Sequence, residues 1–281
     1  EGLETPVDGN VRVLRERTDE TTPSLFVFHP AGGSSVVYEP LSRDLPESVP
    51  VYGIERLEGA LDERVEQYIP DLIRYADGHK VILGGWSFGG VLAMEAAKRL
   101  KAEGIDVELV ALLDTVFPAR PAPDTMDETK ARWGRYAVFA KNNYGLDLPV
   151  PYGLLETAGE EGVLQLLRGY LASHDTRNLG LSAGVVEHQR ASIYDHQIVR
   201  TLDIHRWDGL GIPVILFRAE RMHDGAVELE PTYAEIAPDG GWGAIVDDLE
   251  VVPLPGDHLA VPDEPAIGIV AAHLIDRCDL K

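Results

Sequence analysis

Residues 81–90, VILGGWSFGG, decide how this sequence is read. They place Gly85-Trp86-Ser87-Phe88-Gly89, a G-x-S-x-G pattern, between an apolar run and a helix-like stretch. Residues 80–87 (KVILGGWS) read as a buried strand. Residues 88–103 have helical spacing, with Val91, Leu92, Ala96, Ala97 and Leu100 on one face. A serine at such a junction sits on a sharp, strained turn, and its neighbours must lack side chains for strand and helix to approach. The helix N-terminus then sets free backbone N–H groups beside it. Ser87 is the candidate nucleophile.

Working outward, the same alternation recurs. Residues 24–30 (SLFVFHP), 49–55 (VPVYGIE) and 107–114 (VELVALLD) are nearly continuous apolar runs, as in strands buried on both faces. Residues 62–76 are helical between them, and strands return at 213–220 (PVILFRAE) and 249–254 (LEVVPL). Residues 264–277 form a closing helix, and residues 10–16 add an antiparallel edge strand. Strand–helix alternation predicts an α/β class, with a mostly parallel sheet and right-handed crossovers. From 117 to 205 no buried strand is legible, only helical stretches at 127–144, 160–174 and 182–200. That is too long for a loop, so a single domain is expected, with a sheet core (1–116 and 206–281) and an inserted helical lid (117–205).

A serine hydroxyl needs a base. In the order serine, acid, histidine, the base follows the last strand, which selects His258 in Pro255-Gly256-Asp257-His258. His29, His188 and His223 compete, and His29 stands at a strand end from which it would line the site. The orienting acid is Asp114 at the end of VELVALLD, or Glu220 or Asp224 after the next strand; Asp257 reads as a loop residue. The two oxyanion donors are the Phe88 N–H and the Ala31 N–H of the His29–Ser34 loop, HPAGGS.

Composition narrows the partners. The chain has 281 residues, and its net charge of −22 (25 Lys+Arg, 47 Asp+Glu) argues against nucleic acid and anionic lipid. A hydrophobic content of 44% is enough for a sizeable core. The single cysteine, Cys278, excludes an intrachain disulfide and a cysteine metal cluster. No signal peptide is legible and no run reaches the roughly 18 apolar residues of a spanning helix, so a cytoplasmic location is expected. The start at Glu1 fits a domain excised from a larger protein.

FVFHPAGGSSVVYEPL, GWSFGGVLA, LLDT and PGDHLAV together resemble the thioesterase domains of polyketide and nonribosomal peptide synthases, over essentially the whole chain. VEHQRAS, PDGGWG and DLEVVPLPGDH are similar to the terminal thioesterase of the actinobacterial synthase that condenses two fatty acyl chains into mycolic acid precursors. The resemblance implies an α/β-hydrolase fold with a lid, and an acid after the sixth strand, which favours Asp114. It also implies Ser87 and His258 as nucleophile and base. The activity it implies is release of a long α-alkyl β-keto acyl chain from a carrier domain's phosphopantetheine, through acyl-Ser87, to a trehalose hydroxyl or to water. No metal or bound cofactor is implied. The sequence departs from the mycobacterial relative at Phe88, where leucine is expected. It departs also at Met222, His196 and Arg200, where tyrosine, asparagine and aspartate are expected, so substrate fit should differ. Trp133, Tyr136, Phe139, Leu166, Leu167 and Tyr170 are candidates for an acyl channel, and Tyr194, Tyr233 and His223 for the groove.

Overall fold

The computed structural model describes residues 7–145, 147, 149–173 and 176–281, with side chains described outside 170–183. The strands are β1 (Val7–Asp8), β2 (Val11–Arg15), β3 (Ser24–Phe28), β4 (Val51–Ile54), β5 (Val81–Trp86), β6 (Val107–Leu113), β7 (Val214–Arg221) and β8 (Leu249–Asp257). Among the described residues they form one 8-stranded sheet in the order β1-β2-β4-β3-β5-β6-β7-β8. β1, β2 and β4 pair antiparallel, and every pair from β4 to β8 is parallel.

The continuous apolar runs are explained by burial on both faces. In β3, Phe26 and Phe28 face one core, while Leu25 and Val27 face the other. In β6, Val110 and Leu112 alternate in the same way with Leu109 and Ala111. Side chains of a strand alternate between faces, so a strand covered on both sides shows no polar alternation. Helices α2 (Leu61–Ala76) and α3 (Phe88–Ala102) cover the first face; α1 (Glu39–Asp44) and α8 (Ala266–Arg277) cover the second.

Three helices stand between β6 and β7: α4 (Met126–Tyr144), α5 (Tyr152–Ser173) and α6 (Thr176–Thr201). They share a small core of their own, Trp133, Leu155, Val163 and Leu164. α5 begins eight residues before the predicted 160. Gly159 breaks it with φ 67° and ψ −174°, so the periodicity of its first turns is out of phase with the rest. α1 and α7 (Asp224–Leu229), of 6 residues each, are too short to show a period and were not expected. Among the described residues no helix is long and apolar enough to cross a membrane.

Candidate active site

Ser87 lies between β5 and α3 with φ 57° and ψ −123°, a conformation that costs a non-glycine residue about 1–3 kcal/mol. The surroundings enforce it. Ser87 N–H donates to Leu113 O at 3.0 Å, and the Thr115 hydroxyl donates to Ser87 O at 2.7 Å. The glycines are steric requirements. A Cβ on Gly85 would stand 2.2 Å from the Gly89 carbonyl carbon, and one on Gly89 would stand 2.3 Å from Phe28 O. At Gly90 it would meet Thr115 Oγ1 at 2.0 Å. Strand β5, helix α3 and the end of β3 therefore touch backbone to backbone.

Asp114 follows β6, has φ 48° and is fully buried. Its Oδ2 is 2.8 Å from His258 Nδ1, in the turn that ends β8. Its Oδ1 accepts from Arg218 Nη1 at 2.7 Å and from Ala219 N–H at 3.0 Å. Burial raises the Asp114 pKa, but the His258 hydrogen bond and charge, Arg218 and the Ala219 N–H outweigh it and hold it below the usual carboxylate value. An ionised carboxylate there fixes a proton on His258 Nδ1 and leaves Nε2 as the basic nitrogen. Trp86 steadies the same imidazole: its Nε1–H donates to His258 O at 3.0 Å and the rings lie 5.3 Å apart.

Ser87, Asp114 and His258 line one cavity of about 700 Å³, together with Ala31 and Phe88. Among the described residues Ser87 Oγ makes no hydrogen bond with His258, and such contacts often tighten only when substrate binds.

The competing acids and His29 lie elsewhere, whereas His188 and His223 line the cavity. Glu220 is exposed, and the exposed Asp224 pairs with Arg221 at 2.7 Å. Asp257 accepts from Leu259 N–H at 3.1 Å, as a loop residue does. His29 does not line the cavity: it is fully buried, and its Nδ1 lies 2.9 Å from Pro30 O. Burial pushes its pKa down to about 4. His188 is exposed and meets Gly32 O at 3.1 Å. His223 does line the cavity and stacks on His258 at 6.0 Å, but its Nδ1 accepts the Ala226 N–H at 3.2 Å. Its remaining nitrogen carries the proton in the neutral ring, so it offers a donor rather than a base. Burial first, then the charge of His258, lowers its pKa. Cys278 is half-buried, and burial together with the charge of Glu108 pushes its thiol up to about 11, far from a reactive thiolate.

The cavity walls are largely apolar, with Val37, Val91, Phe117, Phe139, Met222 and Leu229 among them. Tyr136, Tyr233 and His223 line it. Tyr194 does not; its ring packs 5.4 Å from the Arg64 guanidinium, on the side of α6 that faces α2. Trp133 and Leu167 belong to the inserted helices' own core, and Leu166 is 58% exposed, so none of the three forms a channel wall. The Tyr170 side chain lies outside those described. At one end of the cavity, Tyr136 Oη donates to the buried Glu230 at 3.1 Å, and Arg200 Nη1 reaches the same carboxylate at 3.2 Å. His196 also lines the cavity, its Nδ1 2.8 Å from Ser192 O. Among the described residues no cluster of His, Cys, Asp or Glu could hold a metal ion.

Residues 23–147 match the family model described as Thioesterase domain. That stretch holds β3 to β6, with Ser87 and Asp114, and is similar to thioesterase domains. Among similar proteins, the orsellinic acid synthase ArmB of Armillaria ostoyae is 25% identical over 97% of this chain and 12% of its own length. The malpinin synthetase of Mortierella alpina is 35% identical over 43% of this chain and 2% of its own length. The chain thus spans a small fraction of the length of these relatives. Among solved structures, a four-domain nonribosomal peptide synthetase, AB3403, superposes with a TM-score of 0.63 at 24% identity, covering 95% of this chain and 20% of its own. The Vlm2 thioesterase domain with a bound dodecadepsipeptide does so with 0.61 at 21% identity, covering 97% and 99%. At these identities the likeness is one of fold, the α/β-hydrolase fold.

Proposed function

We propose that this chain is a serine thioesterase that releases an acyl or peptidyl chain from the phosphopantetheine thioester of a carrier domain. The observation that carries the reading is the buried Asp114–His258 pair, 2.8 Å apart, at the cavity into which the strained Ser87 opens. In this reading His258 Nε2 takes the Ser87 proton as Oγ attacks the thioester carbonyl. The Phe88 and Ala31 N–H groups bind the oxyanion. The tetrahedral adduct collapses, the thiol leaves with the proton from His258, and acyl-Ser87 remains. His258 then deprotonates an acceptor hydroxyl, which displaces Ser87 and forms acid or ester. Asp114 holds the imidazole and stabilises the imidazolium. No step needs a metal or organic cofactor. The helices between β6 and β7 serve as the lid over this cavity.

Its apolar walls favour a long acyl chain, and the finer reading is a long α-alkyl β-keto acyl group passed to trehalose or to water. The carrier domain would be a neighbour in the same polypeptide. A free-standing hydrolytic thioesterase or carboxylesterase would use the same residues, so the acceptor decides. The test loads Ser87 from a long-chain acyl thioester and offers trehalose. An acyl-trehalose mass supports transfer; free acid alone, with trehalose in excess, removes the transferase part and keeps the hydrolase.

A further inference from the structure

The loop that carries Ala31 is gripped by helix α6. Gly33 N–H donates to Pro30 O at 3.0 Å, closing a turn in which Ala31 and Gly32 are the central residues. Gly32 has φ 64°, and a Cβ there would stand 2.9 Å from Ser192 N and 3.0 Å from His188 O, both in the α6 backbone. Gly32 N–H donates to Asp195 Oδ2 at 2.8 Å, while Gly32 O meets His188 Nδ1 at 3.1 Å. Both peptide groups flanking Gly32 are therefore held by the same helix. The first is the Ala31–Gly32 peptide, whose orientation is what distinguishes one turn type from another and so sets the backbone at Ala31.

Asp195 is itself fixed from the core side. Its side chain is fully buried, with Arg64 Nη2 2.7 Å from Oδ1. Arg56 Nε and Nη2 both reach it at 3.0 Å. Arg56 also pairs with Glu58, which Arg190 of α6 meets at 2.8 Å. The Arg64 guanidinium lies 5.6 Å from the centre of the Phe88 ring. One buried ion cluster thus touches both residues that carry the oxyanion donors, Ala31 through Gly32 and Phe88 through Arg64.

We propose that Asp195 is a positioning residue that couples the seating of α6 to assembly of the oxyanion hole. With α6 seated, its carboxylate anchors the Ala31–Gly32 peptide and so holds in place the turn that carries the Ala31 N–H. With α6 lifted, the turn loses that acceptor and the hole loses one donor. The inference rests on the reading of Ser87 as nucleophile and Ala31 as donor.

The test measures kcat and KM with an acyl N-acetylcysteamine thioester, alongside labelling of Ser87 by a fluorophosphonate and a thermal melt. Asp195→Ala should lower kcat about 10- to 100-fold, part of the loss seen when an oxyanion donor is removed, with KM within about threefold. Asp195→Asn keeps an oxygen for the Gly32 N–H and should recover most of kcat, even where the unmatched arginines lower its melting temperature. Gly32→Ala disturbs the same contact from the loop side without touching an ion. Adding Asp195→Ala to it should cost much less kcat than Asp195→Ala costs alone, because interacting sites are not additive. If Asp195→Ala does not fold, Gly32→Ala alone decides: kcat should fall with KM within about threefold, and wild-type kcat in the folded variant would overturn the proposal. Wild-type kcat in folded Asp195→Ala, equal losses in the Asn and Ala variants, or additive losses in the Gly32→Ala pair would overturn the proposal. A folded wild type that no fluorophosphonate labels would instead remove the nucleophile reading beneath it.

Discussion

The turn at Ser87 and the helices between β6 and β7 are held together on opposite terms. At the turn, backbone meets backbone: Gly85 against Gly89, Gly89 against Phe28 O, Ser87 N–H on Leu113 O. Among the inserted helices, side chain meets side chain. Trp133 packs on Leu155, Val163 and Leu164, and donates to Glu160 at 2.9 Å. Arg132 and Arg200 join Glu160 to Glu230 across α4, α5, α6 and the start of the segment after α7. A backbone contact admits one residue type at each position, whereas a side-chain network can be rebuilt with other residues of similar volume and charge. The turn thus tolerates the least change of residue, and the inserted helices are where substrate fit can change without loss of the chemistry.

Four measurements break or sharpen this contrast, in order of falling effect. Asp114→Asn should leave the fold intact and lower kcat/KM about 10⁴-fold, because the wrong imidazole tautomer faces Ser87; near-wild-type turnover would shift the acid role to Glu220 or Asp224. Gly89→Ala should destabilise the sheet core by about 3 kcal/mol or more, since its methyl must displace the Phe28 carbonyl rather than a flexible side chain. Trp133→Ala should cost about 3 kcal/mol. That loss should fall on the inserted helices, seen as earlier loss of helical signal, with the sheet's own transition in place; a single unchanged transition would mean that the two regions melt as one.

The fourth is a pH effect at their junction. His29 sits beneath the loop that α6 grips, and its pKa falls from 6.5 to about 4 on burial. Between those values the unfolded chain takes up a proton that the folded chain refuses. The stability it contributes is therefore full above pH 6.5 and is lost as the pH falls towards 4, up to about 3 kcal/mol. Asp114 and Asp195 act lower, since their depressed values keep their contribution until the pH passes below the ordinary carboxylate range. Melting between pH 6.5 and 4.5 should fall steeply in the wild type and less in His29→Asn, and equal slopes would remove His29 as the cause.

Much of the sheet and of the site was legible because local rules govern it. Strands buried on both faces write unbroken apolar runs, and Ser87 and Asp114 each stand where such a run ends, while His258 follows the edge strand β8. The contacts that were not legible join distant segments. Asp195 meets Arg56 and Arg64 across 139 and 131 positions, and neither pair has a spacing to betray it. One signal was present: Arg64 lies on the apolar stripe of α2 with Leu61, Val65, Tyr68 and Leu72, and a charge there demands a buried counter-ion. His29 and Tyr194 failed as cavity residues for a related reason. Position at a strand end or on an inserted helix does not say which way the ring turns, and packing against Phe88 and Arg64 decided that.

The central claim is that Ser87 carries the acyl group, and intact-protein mass spectrometry tests it most directly. Wild-type protein mixed with a long-chain acyl thioester and quenched within a second should gain the mass of one acyl group, mapped to the peptide containing Ser87, and Ser87→Ala should gain none. An acyl adduct that persists in Ser87→Ala, or turnover by folded Ser87→Ala at the wild-type rate, would contradict it.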